Sequence, residues 1–581
     1  MRTSVVRRAT AALSMVLLAA MAGVPTAAPA AAKITPCTNP PPVFPVGDVK
    51  NGQSATGWTV LQGTTPESFD VTLLGLLKDA LAPGKDVILV KASGPNINAI
   101  HGMGPGFSGS PVYRNGMLVG SVSYGLGGDA HYGALTPGQD LVDVLMEPTA
   151  RTVASARRVP LSRSERKLIA RSAGLQLADV STSLEQIPLP LAVSGATGDR
   201  LRRATKRFAA QGMSVVPYRT SSPSSSAHID TSDPIEPGDV FAAAISYGSL
   251  TYAGVGTATI ACGDYVVAFG HPFLFAGGGP NGAVLDGDVV TTVPGGNGYY
   301  PFKLANVGQL QGTLEQDRLS GVRGLIGRPP TLTEVDSTIT NLDTGAIERA
   351  TTQVANKSWV ASVASDHLYY ATLAALDARS GTTWAHFTVV ISSHGQQYTI
   401  EFENAYIGGR ALYGPANDIY GALRSIDRAA GPARIVSVHA DLQVSEHRTT
   451  YVIHRARTAS TTSPGWNVQD VIDVRAGDTL SVRVPLQAPD TGDVHVASTT
   501  FTIPTTATRD GSLEVSPARP NYYWFRNMSL EETMAKLISQ PSYTDLQLEV
   551  RMRGAHDLVE IIPQDRPLTN DSEVELNLVR H

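Results

Sequence analysis

Through most of this chain the apolar positions come in short, strand-like stretches. Asp86–Val90 and Met117–Val122 are brief β-branched runs bounded by Gly and Pro. Thr257–Phe269 reads as a hairpin that turns at Cys262-Gly263-Asp264. Farther on, Leu480, Val482, Val484 and Leu486 hold every second position, as do Leu546, Leu548, Val550 and Met552. Helical spacing is confined to a few places. Ser162 and Glu165 make a capping box ahead of Leu168 and Ile169, with Gly174 placed as a C-cap. A second helix is predicted from Asp199 to Gln211, with Leu201, Ala204, Thr205 and Phe208 on one face and Gly212 ending it. A third fits Ile419, Leu423 and Ile426 and stops before Gly431-Pro432. A fourth is capped by Ser529 and Glu532 and carries Leu530, Met534 and Leu537.

These patterns divide the chain. Residues 33–150 and 236–330 are strand-like. Residues 151–235 hold two Arg/Lys-rich helices, whose bland reading is a solvated face, and then the Ser/Pro-rich stretch Thr220–Pro234. Residues 331–581 form a second β-rich region with room for two subdomains. No repeat period marks a solenoid or propeller. The expected fold class is therefore mainly β, with few short helices.

The first 32 residues stand apart. Arg2, Arg7 and Arg8 precede the apolar run Ala11–Val24, which is shorter than the ~20 residues a membrane span needs. Ala28-Pro29-Ala30 and Ala30-Ala31-Ala32 both fit a small-residue cleavage site. The segment reads as a signal peptide, so the mature protein is expected outside the cytoplasm, secreted or in the cell envelope, with no transmembrane segment after cleavage.

The 581 residues are too many for one core, and 42% hydrophobic with 17% charged residues is a globular balance. A net charge of −5 gives no reason to expect a nucleic-acid partner. Two cysteines exclude a disulfide-dense scaffold and a Cys-rich zinc site. In an oxidising compartment Cys37 and Cys262 are expected to pair, tethering the mature N-terminus near His271. No HExxH, GxxxxGK[ST] or strand–GxGxxG–helix motif is present, so neither metal nor cofactor is expected.

The segment richest in chemistry is Gly104-Pro-Gly-Phe-Ser108-Gly-Ser110-Pro, followed by a hairpin to Tyr124. Gly at −2 and +1 lets the backbone turn sharply around Ser108. Such a turn exposes the hydroxyl and converges N–H groups, those of Gly106 and Ser108, as an oxyanion hole requires. The layout resembles the GDSGGP-then-hairpin segment of chymotrypsin-like proteases. Ser110 lacks the Gly-x-Ser-Gly setting. A serine also needs a base. His271, in Ala268-Phe-Gly-His-Pro-Phe273, follows a strand and sits fixed between Gly and Pro; His101 and His131 are its rivals.

Together the two segments resemble the SpoIVB family of serine peptidases, the stage IV sporulation protein B type. The family's G-M-S-G-S-P run appears as Gly106-Phe-Ser-Gly-Ser-Pro111. Its G-x-G-T-L-T, turn, A-L-G-H-G motif appears as Gly254-Val-Gly-Thr-Ala-Thr259 and Ala268-Phe-Gly-His-Pro272. Val307–Gly312 and Gly321–Gly327 are similar to its small-residue tail. The resemblance spans 55–145 and 236–328. It implies a chymotrypsin-like double β-barrel, Ser108 as nucleophile, His271 as base, and a protein or peptide substrate.

The chain departs from that family in three ways. The serine half precedes the histidine half, a circular permutation of the family order. The stretch equivalent to the family's Asp, Lys91–Asn98, has no acid; Asn96, Asn98 or Asp129 is left to orient the imidazole, and Asp264 reads as a turn residue. No PDZ-like segment precedes the serine half. The leading expectation is an exported serine endopeptidase, with self-cleavage in Thr220–Pro234 as a further expectation. A catalytically inactive protease-like binding module and a β-rich envelope structural protein are the alternatives.

Overall fold

The chain's β-branched runs pair into antiparallel ladders because each strand can bury an apolar face only against a neighbour. The computed structural model describes residues 34–146, 158–195, 199–210, 213–296, 299–468, 470–522 and 527–579. The expected signal peptide, residues 1–32, lies outside them, as do Gln211 and Gly212 at the end of the second predicted helix. The fold is mainly β, with 49% strand and 16% helix.

The first ladder comprises β1 (Gln53–Thr59), β2 (Glu67–Ala82), β3 (Lys85–Ser93), β4 (Pro111–Arg114), β5 (Met117–Gly125) and β6 (Tyr132–Pro137). The pairings run β4-β1-β2-β3-β6-β5 and return from β5 to β4, closing a six-stranded barrel. Closure removes the unpaired edges that an open sheet would expose. Phe69, Val71, Leu73, Ile88, Val90, Val112, Val119, Val122 and Leu135 fill it. Helix α1 (Pro95–Ala99) leads from β3 toward the β4 turn, and α2 (Gly138–Met146) follows β6.

The connecting region contains β7 (Arg158–Pro160), α3 (Arg163–Ala173), β8 (Ser183–Gln186), β9 (Leu189–Val193), α4 (Asp199–Ala210) and β10 (Val215–Arg219). The capping box of α3 forms as expected, with Ser162 Oγ accepting from Glu165 N and Gly174 left-handed at the C-terminus. Thr220–Pro234 has no regular structure and is largely exposed.

A second ring follows: β11 (Val240–Gly248), β12 (Tyr252–Cys262), β13 (Tyr265–Ala268), β14 (Gly277–Val293), β15 (Phe302–Arg318) and β16 (Gly321–Ile326). Its antiparallel pairings run β11-β12-β13-β16-β15-β14 and back to β11. Strands β14 and β15, 17 residues each, break register at several places, and such bulges let a long strand bend.

The second ring's sheet continues past residue 330. β18 (Ile347–Val354) pairs with β11, and its hairpin partner β17 (Thr333–Asn341) leads to β21 (Arg434–Ser445), β19 (Gly381–Ser393) and β20 (Gln396–Gly408). Helices α5 (Val360–Leu376) and α6 (Arg410–Arg428) cover one face of this extension. They correct the expectation of short helices, with 17 and 19 residues. Helix α5 escaped prediction because it is apolar nearly all round, so no polar face marked its period. Residues beyond 450 form two five-stranded sheets around a shared core, with α7 (Leu530–Ile538) packed beside α6. There the alternating residues Leu480–Leu486 and Leu546–Met552 all point inward. Among the described residues no helix is long and apolar enough to cross a membrane.

The two rings are tied at their start. Cys37 and Cys262 form a disulfide, Thr35 N donates to Asp264 Oδ2 at 2.7 Å, and Phe44 N donates to Leu118 O of β5 at 2.9 Å. Helix α2 sits in the same seam, with Leu141 and Leu145 packed among Leu118, Ile260 and Val267. The bridge closes a loop of 225 residues, so replacing both cysteines with serine is expected to cost about 2–5 kcal/mol. Thermal unfolding of the oxidised protein against the double variant checks this; equal midpoints would show that the bridge contributes nothing.

Candidate functional site

The turn between α1 and β4 is built by close backbone approach. Gly109 has φ +99°, and a Cβ there would lie 1.8 Å from Thr257 O, so only glycine fits against β12. β12 fastens the turn by three hydrogen bonds: Thr257 N to Ser108 O at 2.8 Å, Thr257 Oγ1 to Gly106 O at 3.0 Å, and Thr259 Oγ1 to Gly109 O at 2.6 Å. The first ring's serine turn is thereby set on the second ring.

His271 comes from the other side. It follows β13 through Phe269, a bulky residue held at φ +70°, where backbone strain is stored. Thr136 Oγ1 of β6 donates to Gly270 O at 2.6 Å. Beyond the histidine, Asp317 of β15 accepts from the N–H groups of Phe273 (2.8 Å), Leu274 (2.6 Å) and Ala276 (3.2 Å). Burial pushes the Asp317 carboxyl up in pKa, and these N–H donors oppose the shift.

The two segments bring Ser108 Oγ within 2.8 Å of His271 Nε2. Both residues are fully buried. The rings of Tyr124 and Phe269 flank the imidazole at 6.4 and 6.2 Å. His271 Nδ1 lies 2.9 Å from Pro272 O, a carbonyl that also accepts from Gln186 Nε2 at 3.1 Å. A carbonyl only accepts, so Nδ1 carries the proton and Nε2 offers its lone pair to the Ser108 hydroxyl. Burial pushes the His271 pKa down to about 4, against the opposing effect of the Pro272 carbonyl.

Within the turn, Phe107 N donates to Gly104 O, Gly109 N to Val122 O and Ser110 N to Phe107 O. The N–H groups of Gly106 and Ser108 have no acceptor among the described residues. Buried amides are almost always paired, so two open ones beside a serine–histidine pair form a ready anion cradle.

The remaining sequence candidates lie elsewhere. Asn96 is engaged with Ser68 O and Ile97 N, and Asn98 is exposed on α1. Asp129 pairs with His131 at 2.7 Å. None of the three is hydrogen-bonded to His271 among the described residues. His101 is exposed, Ser110 Oγ donates to Thr59 Oγ1 at 2.9 Å, and Asp264 holds the Thr35 amide. The position facing Nδ1 is filled by a main-chain carbonyl, which no residue pattern can announce.

Sequence reasoning also passed over Lys303. Its side chain is buried, with Nζ 2.5 Å from Thr59 Oγ1, 3.3 Å from Thr257 Oγ1 and 4.8 Å from the centre of the Phe107 ring. Its stem runs along Gly106, where a Cβ would meet Lys303 Cβ, Cγ and Cδ at 2.7–2.8 Å. Nothing in Tyr300-Pro-Phe-Lys303-Leu304 distinguishes this lysine from a surface one. No family model, curated protein or solved structure matches this chain.

Two outcomes follow from this packing. Gly109→Ala is expected to destabilise by more than about 3 kcal/mol, since both φ and space forbid a Cβ; denaturant titration would show it, and an unchanged midpoint would contradict the close approach. His271 and a second buried histidine, His367, are both held down to about 4. An unfolded histidine titrates near 6.5, so the unfolded chain binds more protons between those values and stability falls as pH drops from about 6.5 to 4. The loss is on the order of 3 kcal/mol per histidine, read from unfolding curves of wild type and His367→Gln across that range. A variant as acid-sensitive as wild type would exclude His367 as a source.

Proposed function

We propose that this chain is an exported serine endopeptidase of the SpoIVB type, built on a permuted chymotrypsin-like double barrel. The observation that carries this reading is the buried 2.8 Å contact between Ser108 Oγ and His271 Nε2, set beside the two open amides of Gly106 and Ser108. Ser108 Oγ attacks the scissile carbonyl while His271 Nε2 accepts its proton. The resulting oxyanion is met by the Gly106 and Ser108 N–H groups. The imidazolium then protonates the leaving amine, and water repeats the sequence to release the acyl group. The second closed ring of six strands supports the double-barrel reading, since the serine and the histidine come from different rings. The substrate is a protein or peptide, and the exposed stretch Thr220–Pro234 is the expected site of self-cleavage.

One observation favours a second reading, a catalytically inactive protease-like binding module. His271 leans on the Pro272 carbonyl and, among the described residues, on no carboxylate. A carbonyl sets the tautomer but supplies only a partial charge to the imidazolium, and loss of the triad Asp alone can cost ~10⁴-fold.

Labelling of the purified protein with a fluorophosphonate probe separates the two. The expected result is modification of Ser108, mapped by peptide analysis and absent from Ser108→Ala and His271→Ala. A folded wild type that takes no label at any pH between 4 and 9 would make the binding module the working description.

A further inference from the structure

Lys303 is a buried cation that the reaction described above does not use. The groups facing its Nζ are Thr59 from β1, Thr257 from β12 and the Phe107 ring from the serine turn, and none is charged. Among the described residues no carboxylate pairs with it. An unpaired ammonium in a protein interior is costly, because its hydration is lost without an opposite charge to replace it. Such a group calls for a role.

Its position suggests one. Lys303 N–H donates to Pro105 O at 3.1 Å. That carbonyl belongs to the peptide whose N–H is Gly106's, and in a trans peptide the two point in opposite directions. Holding Pro105 O against β15 therefore turns the Gly106 N–H away from β15. The Phe107 carbonyl, on the peptide that carries the Ser108 N–H, is likewise held, by Ser110 N at 2.9 Å. Both open amides thus have their orientation set from behind. The side chain adds a second link. Lys303 Nζ donates to Thr257 Oγ1, which donates to Gly106 O, so the charge and the turn are joined by one hydrogen-bonded chain. That carbonyl shares its peptide with the Phe107 N–H, which is held by Gly104 O, so the chain fixes the charge beneath the turn and the charge acts on the two open amides through space, where burial leaves it weakly screened.

We propose that Lys303 is a positioning residue of the oxyanion turn: its main chain orients the Gly106 amide, and its ammonium, held beneath the turn by Thr59 and Thr257, favours negative charge at the Gly106 and Ser108 N–H groups. This rests on the reading of Ser108 as a nucleophile. Only the protonated lysine would act in this way. Burial holds its pKa down to about 7, and that of His271 down to about 4. Ser108 reactivity should therefore rise through about pH 4, as His271 becomes a free base, and fall again through about pH 7, as Lys303 loses its charge.

The test is the rate of fluorophosphonate labelling of Ser108 against pH in wild type, Lys303→Met and Thr257→Val. Methionine keeps the main-chain bond and most of the stem and removes the ammonium. The expected result is a fall of about tenfold or more at pH 6 in Lys303→Met, and loss of the alkaline limb. Its thermal midpoint should be unchanged or raised, because an unpaired buried charge is gone. Thr257→Val should slow labelling too, and the double variant should be no slower than Lys303→Met, as expected of two links in one chain. Labelling of Lys303→Met at the wild-type rate, or a wild-type profile flat from pH 6 to 8, would overturn the role of Lys303 and leave Ser108 as nucleophile. A wild type that never labels would overturn both. If Lys303→Met does not fold, the wild-type profile and Thr257→Val still decide.

Discussion

The molecule depends on a seam of buried hydrogen bonds between two closed strand rings. Each ring closes its own ladder, and between the two the backbone pairs at the isolated Gly63–Val289 bridge. Besides the Cys37–Cys262 disulfide and the apolar packing of α2, a set of polar contacts joins them: Thr257 and Thr259 of the second ring on the serine turn of the first, Thr136 of the first on Gly270 of the second, and Lys303 N–H on Pro105 O. In a low-dielectric interior such bonds are directional and expensive to leave unmade, which suits them to fixing a register between two rigid bodies. Ser108 and His271 meet across that seam.

The same seam explains why threonine and glycine dominate it. A glycine at 109 lets one backbone touch another, and each threonine hydroxyl then caps a carbonyl that the sharp turn has removed from any ladder. The electrostatics follow from the dryness. Among the described residues neither His271 nor Lys303 is paired with a carboxylate, and burial holds the histidine neutral and draws the lysine toward neutrality. The buried acid nearest the histidine segment in the hydrogen-bond network, Asp317, goes to the loop amides of residues 273–276. Its carboxylate thereby fixes the chain that follows the histidine.

Much of the architecture was legible beforehand. Period-two alternation marked the strands Thr479–Gln487 and Asp545–Arg553, because a strand buried on one face leaves that trace in the sequence. Capping boxes marked α3 and α7, because an N-cap bond involves residues only three apart. Helix α5, apolar nearly all round, left no amphipathic trace and was missed; the nine-residue helix α2, lying in the seam between the rings, was missed although it has a distinct apolar side.

For the site the division is similar. Gly-x-Ser-Gly and Gly-His-Pro are local signatures, since the sharp turns they make depend on adjacent residues, and they single out Ser108 and His271, the two residues that the fold brings together. The carbonyl that faces Nδ1 is that of the neighbouring Pro272, and Asn96 and Asp129 take partners within the first ring's own segment, whereas the burial of Lys303 under Gly106 was decided by the packing of one ring on the other. Ser108 and His271 stand 163 positions apart and Lys303 and Thr59 stand 244 apart. Local residue pattern determines turns, caps and strand faces; long-range contacts, and the burial that shifts the charges they bring together, exist only once the chain has folded.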